Sequence, residues 1–172
     1  ALTYQGEALK KRVGPLANQI NSSLILECNV ENENDILKTF KEIKKKWKTI
    51  DFVVHAIAFS NREELKGKYL NTSKDNFKKT IDISCYSFTA IAREASKMMN
   101  NGGSLLTLSY FGSEKFMPHY NVMGIAKSAL EASIKYIAKD LGKKKIRVNA
   151  LSPGPIKTLA ASAIGDFNYI LK

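Results

Sequence analysis

Ser104-Leu-Leu-Thr-Leu-Ser-Tyr110, then a loop, then Tyr120-Asn-Val-Met-Gly-Ile-Ala-Lys127 at the head of a long helical pattern: this stretch decides the fold. The first run is a short, apolar, β-prone segment that turns polar at its carboxyl end, and the second opens an amphipathic helix extending over Tyr120–Leu141. Working outward, the same alternation recurs. Leu24–Cys28, Ile50–Phe59 and Ile146–Leu151 read as buried strands, and Gly6–Ile20, Asn34–Trp47 and Ser73–Met99 as helices, with a shorter helix over Leu159–Leu171. Strands that alternate with helices pair in parallel through right-handed crossovers, so the expected fold is a doubly wound, Rossmann-like α/β sheet.

That fold normally begins with a strand and a Gly-rich turn whose amides meet a pyrophosphate. The chain opens instead on Ala1-Leu-Thr-Tyr4, which reads as the end of a strand, and stops soon after its last helical pattern begins. The expectation is one incomplete domain over residues 1–172 that lacks the first strand with its Gly-rich turn and the last strand. In such a sheet the first strand lies between the second and the fourth. The strand ending near Gln5 and the strand beginning at Phe52 should therefore not pair.

At 172 residues and 44% hydrophobic composition, the chain suffices for one core. No run approaches the roughly 20 apolar residues of a membrane span, which points to a cytoplasmic protein. Cys28 and Cys85 lie far apart in apolar stretches, without the spacing of a metal or redox pair, so both read as buried thiols and no metal site is expected. The net charge of +11 raises a nucleic-acid-binding module as a rival reading. Its densest cluster, Lys41, Lys44, Lys45, Lys46 and Lys48, lies on a helix whose apolar residues Ile36, Leu37, Phe40, Ile43 and Trp47 recur at three and four, so a solvated face explains it. Arginine, the residue best suited to reading bases and phosphates, occurs only at positions 12, 62, 93 and 147.

In open α/β sheets ligands sit at the carboxyl ends of strands, which is where Tyr110 and Tyr120 fall. Tyr120 and Lys127 are seven residues apart, a turn of about 700°, so they share a helix face about 10 Å apart along the axis. The lysine leans back toward the helix start, leaving room for a ligand between them. Spacing by itself is weak evidence and favours a surface tyrosine and a solvated lysine on an ordinary amphipathic helix.

The larger text is more specific. Tyr110, Tyr120, Met123 and Lys127, with Arg147-Val-Asn-Ala-Leu-Ser-Pro-Gly-Pro-Ile-Lys-Thr-Leu-Ala-Ala-Ser162, closely resemble the enoyl-acyl-carrier-protein reductases of the short-chain dehydrogenase superfamily. The resemblance extends to Asp82-Ile-Ser-Cys-Tyr-Ser-Phe88 and His55-Ala-Ile-Ala-Phe59. It implies reduction of the trans-2 double bond of enoyl thioesters on acyl carrier protein by NADH, in a cytoplasmic homotetramer. Tyr120 is then the catalytic tyrosine, Lys127 the lysine that holds the nicotinamide ribose, and Tyr110 a neighbour of the thioester that helps shape its pocket, the alternative being a strand-end aromatic that only packs. Tyr110, Tyr120, Met123 and Phe167 shape the substrate pocket. Ketoreductases of the superfamily carry tyrosine four residues before the lysine, where Met123 stands here; a 3-oxoacyl ketoreductase is the rival within the fold.

Further cofactor contacts follow from the same resemblance. Ile156 offers its backbone to the carboxamide and Thr158 its hydroxyl to the pyrophosphate, on a loop shaped by Pro153 and Pro155. Asn29 and Val30 match the adenine site, with Asn29 where many relatives carry Asp. Ile57 and Ala58 match strand-end residues passing the adenosine, or are simply core. Gln5 stands where the adenosine ribose is read, and the absence of an arginine there implies NADH rather than NADPH. His55 reads as a satisfied core histidine, and His119 as a solvent-facing residue without chemistry.

Overall fold

The computed structural model describes residues 1–154 and Ile156. Among the described residues, five parallel strands form two sheets. β1 (Leu2–Tyr4) pairs with β2 (Ile25–Glu27), while β4 (Gly103–Leu108) lies between β3 (Phe52–His55) and β5 (Ile146–Leu151). Helices α1 (Gly6–Gln19) and α2 (Glu33–Lys46) follow β1 and β2, α3 (Lys74–Ile81) and α4 (Ser87–Ala95) lead into β4, and α5 (Asn121–Leu141) links β4 to β5. This is the expected doubly wound layout. β1 and β3 do not pair, and the β3 side chains Phe52 and Val54 are 69% and 52% exposed. An apolar strand so exposed is unusual within a sheet and marks the unpaired side.

One core spans both sheets. Phe88, Leu105 and Leu130 are fully buried, each stabilising the fold by roughly 1.5–3 kcal/mol, and Leu24, Leu26, Cys28 and Val30 of the β1–β2 side pack against the same cluster. On α2, Ile36, Phe40 and Ile43 are buried, but Leu37 and Trp47 are exposed, so the apolar stripe is narrower than its spacing suggests. The lysines from Lys41 to Lys48 are exposed, as a solvated face requires. Cys28 is half-buried and Cys85 buried, both free thiols.

Two elements differ from expectation. The segment Ile50–Phe59 is a strand only over Phe52–His55; beyond it side chains replace the sheet ladder as partners. Ser84 Oγ accepts from Phe59 N at 3.0 Å and donates to Phe59 O at 3.1 Å, and Asn76 Oδ1 accepts from Asn61 N at 2.9 Å. The helical run Ser73–Met99 contains a wider π turn over Asp82–Tyr86 and ends at Ala95. The Ile83 carbonyl inside that turn is satisfied by the Ser87 hydroxyl at 2.6 Å. The chain then reverses through Gly102, where φ is +86° and an added Cβ would lie 2.7 Å from the Lys145 carbonyl oxygen, so no side chain fits. Of the remaining expectations, the helix Leu159–Leu171 and residues Thr158 and Phe167 lie outside the described residues.

Candidate functional site

The carboxyl ends of the strands gather the residues singled out above. After β4 the chain passes Ser109 and the extended Tyr110, makes a 3-10 turn over Phe111–Ser113, and enters α5 with Tyr120 at its N-cap. The entry is unusual: His119 and Asn121, on either side of Tyr120, have φ of +58° and +37°. Left-handed backbone at non-glycine residues costs on the order of 1 kcal/mol each, and surrounding contacts must hold it. Asn121 supplies them, its Nδ2 donating to the carbonyls of Glu64 and Leu65, both at 3.1 Å. His119 is half-buried rather than solvent-facing, because this tight entry folds it back onto the protein.

Tyr110 and Tyr120 meet edge to face with ring centroids 4.9 Å apart. Tyr120 is buried with Leu65, Val122, Met123 and Ala126, and Tyr110 packs against that cluster. Burial, with a smaller contribution from Tyr110, raises the Tyr120 hydroxyl above its ordinary value, so it stays a neutral donor at physiological pH. Met123, at the position that decides between the two reductase readings, is a buried apolar wall beside Tyr120.

Lys127 is only 5% exposed, and its Nζ donates to the Leu108 carbonyl at the end of β4 at 2.6 Å. Burial pulls its pKa down to about 8, partly opposed by Cys85 and Glu131. An ammonium carries three donors, so the carbonyl leaves donor capacity for a diol. The stripe that Tyr120, Gly124, Ser128 and Glu131 form on α5 faces the turn after β4. A Cβ on Gly112 would lie 2.5 Å from Tyr120 Cδ1, and one on Gly124 2.8 Å from the Gly112 carbonyl, so both glycines permit the contact. Ser128 Oγ donates to Ser113 O at 2.6 Å; Ser113 Oγ donates to Glu131 Oε1 at 2.6 Å, and Ser109 Oγ donates to the same oxygen.

On the β1–β2 side, Gln5 Nε2 donates to Asn29 Oδ1 at 3.1 Å, so the two residues expected at the adenosine end are in contact. Asn29 N donates to Asp35 Oδ2 at 3.1 Å, and Val30 is half-buried beside it. Ile57 is half-buried and Ala58 exposed on the loop held by Ser84 and Asn76, so neither is closed into the core. Ile156 is exposed. His55 is the satisfied core histidine expected. It is 2% exposed, with Nδ1 2.9 Å from Thr107 Oγ1 and Nε2 2.8 Å from Ser87 Oγ. Because Ser87 spends its proton on Ile83 O, Nε2 is the imidazole donor, and the single Thr107 hydroxyl proton is shared between Nδ1 and the His55 carbonyl at 3.2 Å. Sequence reasoning missed Ser109, Ser113 and Glu131; the signal for Glu131 is the helical stripe Tyr120, Gly124, Ser128, Glu131, while Ser109 and Ser113 have only their place after β4.

Parallel strands with polar and aromatic side chains converging at their carboxyl ends define an α/β protein of the dinucleotide-binding type. The chain belongs to the enoyl-(acyl carrier protein) reductase family, whose model matches residues 1–172. It is 62% identical over 172 residues to enoyl-[acyl-carrier-protein] reductase [NADH] 1 of Rhizobium meliloti, covering all of this chain and 63% of that protein. Among solved structures, the reductase of Anaplasma phagocytophilum in complex with NAD superposes with a TM-score of 0.91 at 54% identity, over 99% of this chain and 63% of that one. The Bacillus cereus enoyl-acyl carrier protein reductase, solved with NADP+ and indole naphthyridinone, gives 0.95 at 51% identity, over 98% of this chain and 66% of that one. The chain thus spans just under two thirds of the length of these relatives.

Proposed function

We propose that the full-length protein reduces the trans-2 double bond of enoyl thioesters carried on acyl carrier protein, using NADH. The observation that carries this reading is the Tyr110–Tyr120 pair, 4.9 Å between centroids, walled by Met123 and backed by the buried Lys127. The donor set fits the cofactor: Gln5 with Asn29 for the adenosine, the backbone passing Ile57 and Ala58, and the Lys127 ammonium for the nicotinamide ribose. Ile156 and Thr158 complete the contacts in this reading, and Phe167 the substrate pocket.

The reduced nicotinamide supplies hydride to the β-carbon when bound. Tyr120, kept protonated by burial, donates to the thioester oxygen and stabilises the enolate charge that develops there, while Tyr110 fixes the ring that does so. Lys127 supplies position and positive charge. Protonation of the α-carbon by a proton from solvent water completes the reduction. A ketoreductase would need a hydroxyl where Met123 stands, and a thioether cannot supply one.

NADH is favoured over NADPH because Gln5, not an arginine, stands at the ribose end, and the nearby Lys10 is paired with Glu7 at 2.9 Å. Acyl carrier protein, being acidic, suits a chain of net charge +11. A cytoplasmic homotetramer belongs to the same reading: no described helix is long and apolar enough to cross a membrane, and Phe116, Ile125 and Tyr136 offer exposed apolar surface along α5 and its preceding loop. The deciding experiment follows reduced-nicotinamide absorbance with an enoyl thioester and with a 3-oxoacyl thioester, each with NADH and NADPH. Turnover of the enoyl substrate with NADH is expected; turnover of the 3-oxoacyl substrate alone would replace this reading with the ketoreductase.

A further inference from the structure

Glu131 lies one helical turn beyond Lys127, half-buried under the turn that follows β4. A single oxygen, Oε1, accepts from the hydroxyls of both Ser109 and Ser113. Ser109 is buried and precedes Tyr110, and its amide donates to the β5 residue Leu151 at 2.8 Å. Ser113 closes the 3-10 turn, its amide donating to the Tyr110 carbonyl at 2.9 Å and its own carbonyl accepting from Ser128 Oγ. The two serines therefore bracket Tyr110, Phe111 and Gly112, and Gly112 carries the backbone against which the Tyr120 ring lies. A carboxylate is suited to this task because it accepts several hydrogen bonds at once and makes each stronger than a neutral acceptor would.

We propose that Glu131 is a positioning residue for enoyl reduction, its carboxylate gathering Ser109 and Ser113 so that the turn after β4 holds Tyr110 and Gly112 against Tyr120. The proposal rests on the enoyl reductase reading above. It also gives Glu131 a second effect. The charged or titratable groups acting on Lys127 from the elements around it are Cys85 in the π turn, His55 on β3 and Glu131 on its own helix, and the Glu131 carboxylate favours the charged ammonium.

Two variants of the full-length protein separate the clamp from general stability. Glu131→Ala removes both acceptors, whereas Glu131→Gln keeps an acceptor oxygen and removes the charge. In Glu131→Ala, amide hydrogen exchange at Ser113, Glu114 and Lys115 should accelerate. The single-turnover rate with a saturating enoyl thioester should fall about tenfold or more, while NADH affinity at pH 7 changes by less than about threefold. Glu131→Gln should recover most of that rate, yet lose NADH affinity at lower pH than wild type, because the lysine has lost a carboxylate that favours its charged form. A folded Glu131→Ala variant with wild-type exchange and wild-type turnover overturns the proposal, as does Glu131→Gln with an unshifted pH profile and no rescue. Should the wild type itself fail to reduce the enoyl thioester, the functional reading falls and the catalytic role of Glu131 with it, while the exchange data still decide whether the clamp exists.

Discussion

Replacing Gly112 with alanine tests whether the placement of Tyr120 depends on the turn after β4. The added methyl would lie 2.5 Å from Tyr120 Cδ1 and 2.8 Å from Cε1. Carbon atoms prefer separations of about 3.5–4.0 Å, so ring and turn must part by about 1 Å. Neither side yields easily: the ring is buried among Leu65, Val122, Met123 and Ala126, and the turn is fixed to α5 through Ser113, Ser128 and Glu131. Overpacking of this kind costs about 1–3 kcal/mol of stability. A displacement of about 1 Å at a catalytic group costs about a hundredfold in rate, equivalent to about 2.7 kcal/mol of transition-state stabilisation. Urea unfolding reads the first effect, and single-turnover kinetics with a saturating enoyl thioester read the second. Cofactor affinity should change little, because Lys127 is anchored separately on Leu108 O. A variant that unfolds like wild type and turns over within about twofold of it would refute the claim that Gly112 sets the position of the ring.

Tyr120→Phe keeps the buried ring and removes the donor, so NADH affinity should hold while the single-turnover rate falls by about a hundredfold. Lys127→Met should weaken NADH binding first. In the wild type, affinity should decline as pH rises through about 8, where the buried ammonium loses its proton, and titrations of NADH fluorescence across pH in both proteins check the sign. His55, pulled down to about 4 by burial and by the nearby Lys127 charge, is neutral when folded. Its contribution is fully present above the unfolded value near 6.5 and is lost as pH falls toward 4, so acidifying from pH 7 to 5 should cost about 2 kcal/mol through this residue. Urea unfolding of wild type and His55→Gln at the two pH values measures the difference in slope.

How far the sequence reached depended on whether a property is local or assembled. β5 could be read to the residue because Ile146–Leu151 is bounded by the turn around Lys145, and the gap between β1 and β3 followed from topology alone. The π turn was not legible: inserting a wider turn leaves the apolar period almost unchanged, and the device that stabilises it, Ser87 on Ile83 O, looks like any helical serine. β3 ends earlier than its apolar run for a related reason. Ala56–Phe59 is as apolar as a strand, but its end is held by the side chain of Ser84, 25 residues further on, and the next residues by Asn76.

The candidate site divides along the same line. Tyr120, Lys127 and Met123 could be found because they are set by one helix, where spacing dictates geometry. The contact of Gln5 with Asn29 joins two strand ends, and only the parallel pairing of β1 with β2 makes it. Glu131 belongs to the first class by position and to the second by partners. Its place on the α5 stripe is readable, but a carboxylate four residues after a lysine ordinarily means a surface ion pair. Here the lysine turns inward to Leu108 O and the carboxylate turns to two serines instead. The two side chains part because burial of the ammonium and bracing of the turn are separate requirements of one site, and one turn of α5 is all that separates the residue proposed to hold the cofactor from the residue proposed to hold the tyrosines in place.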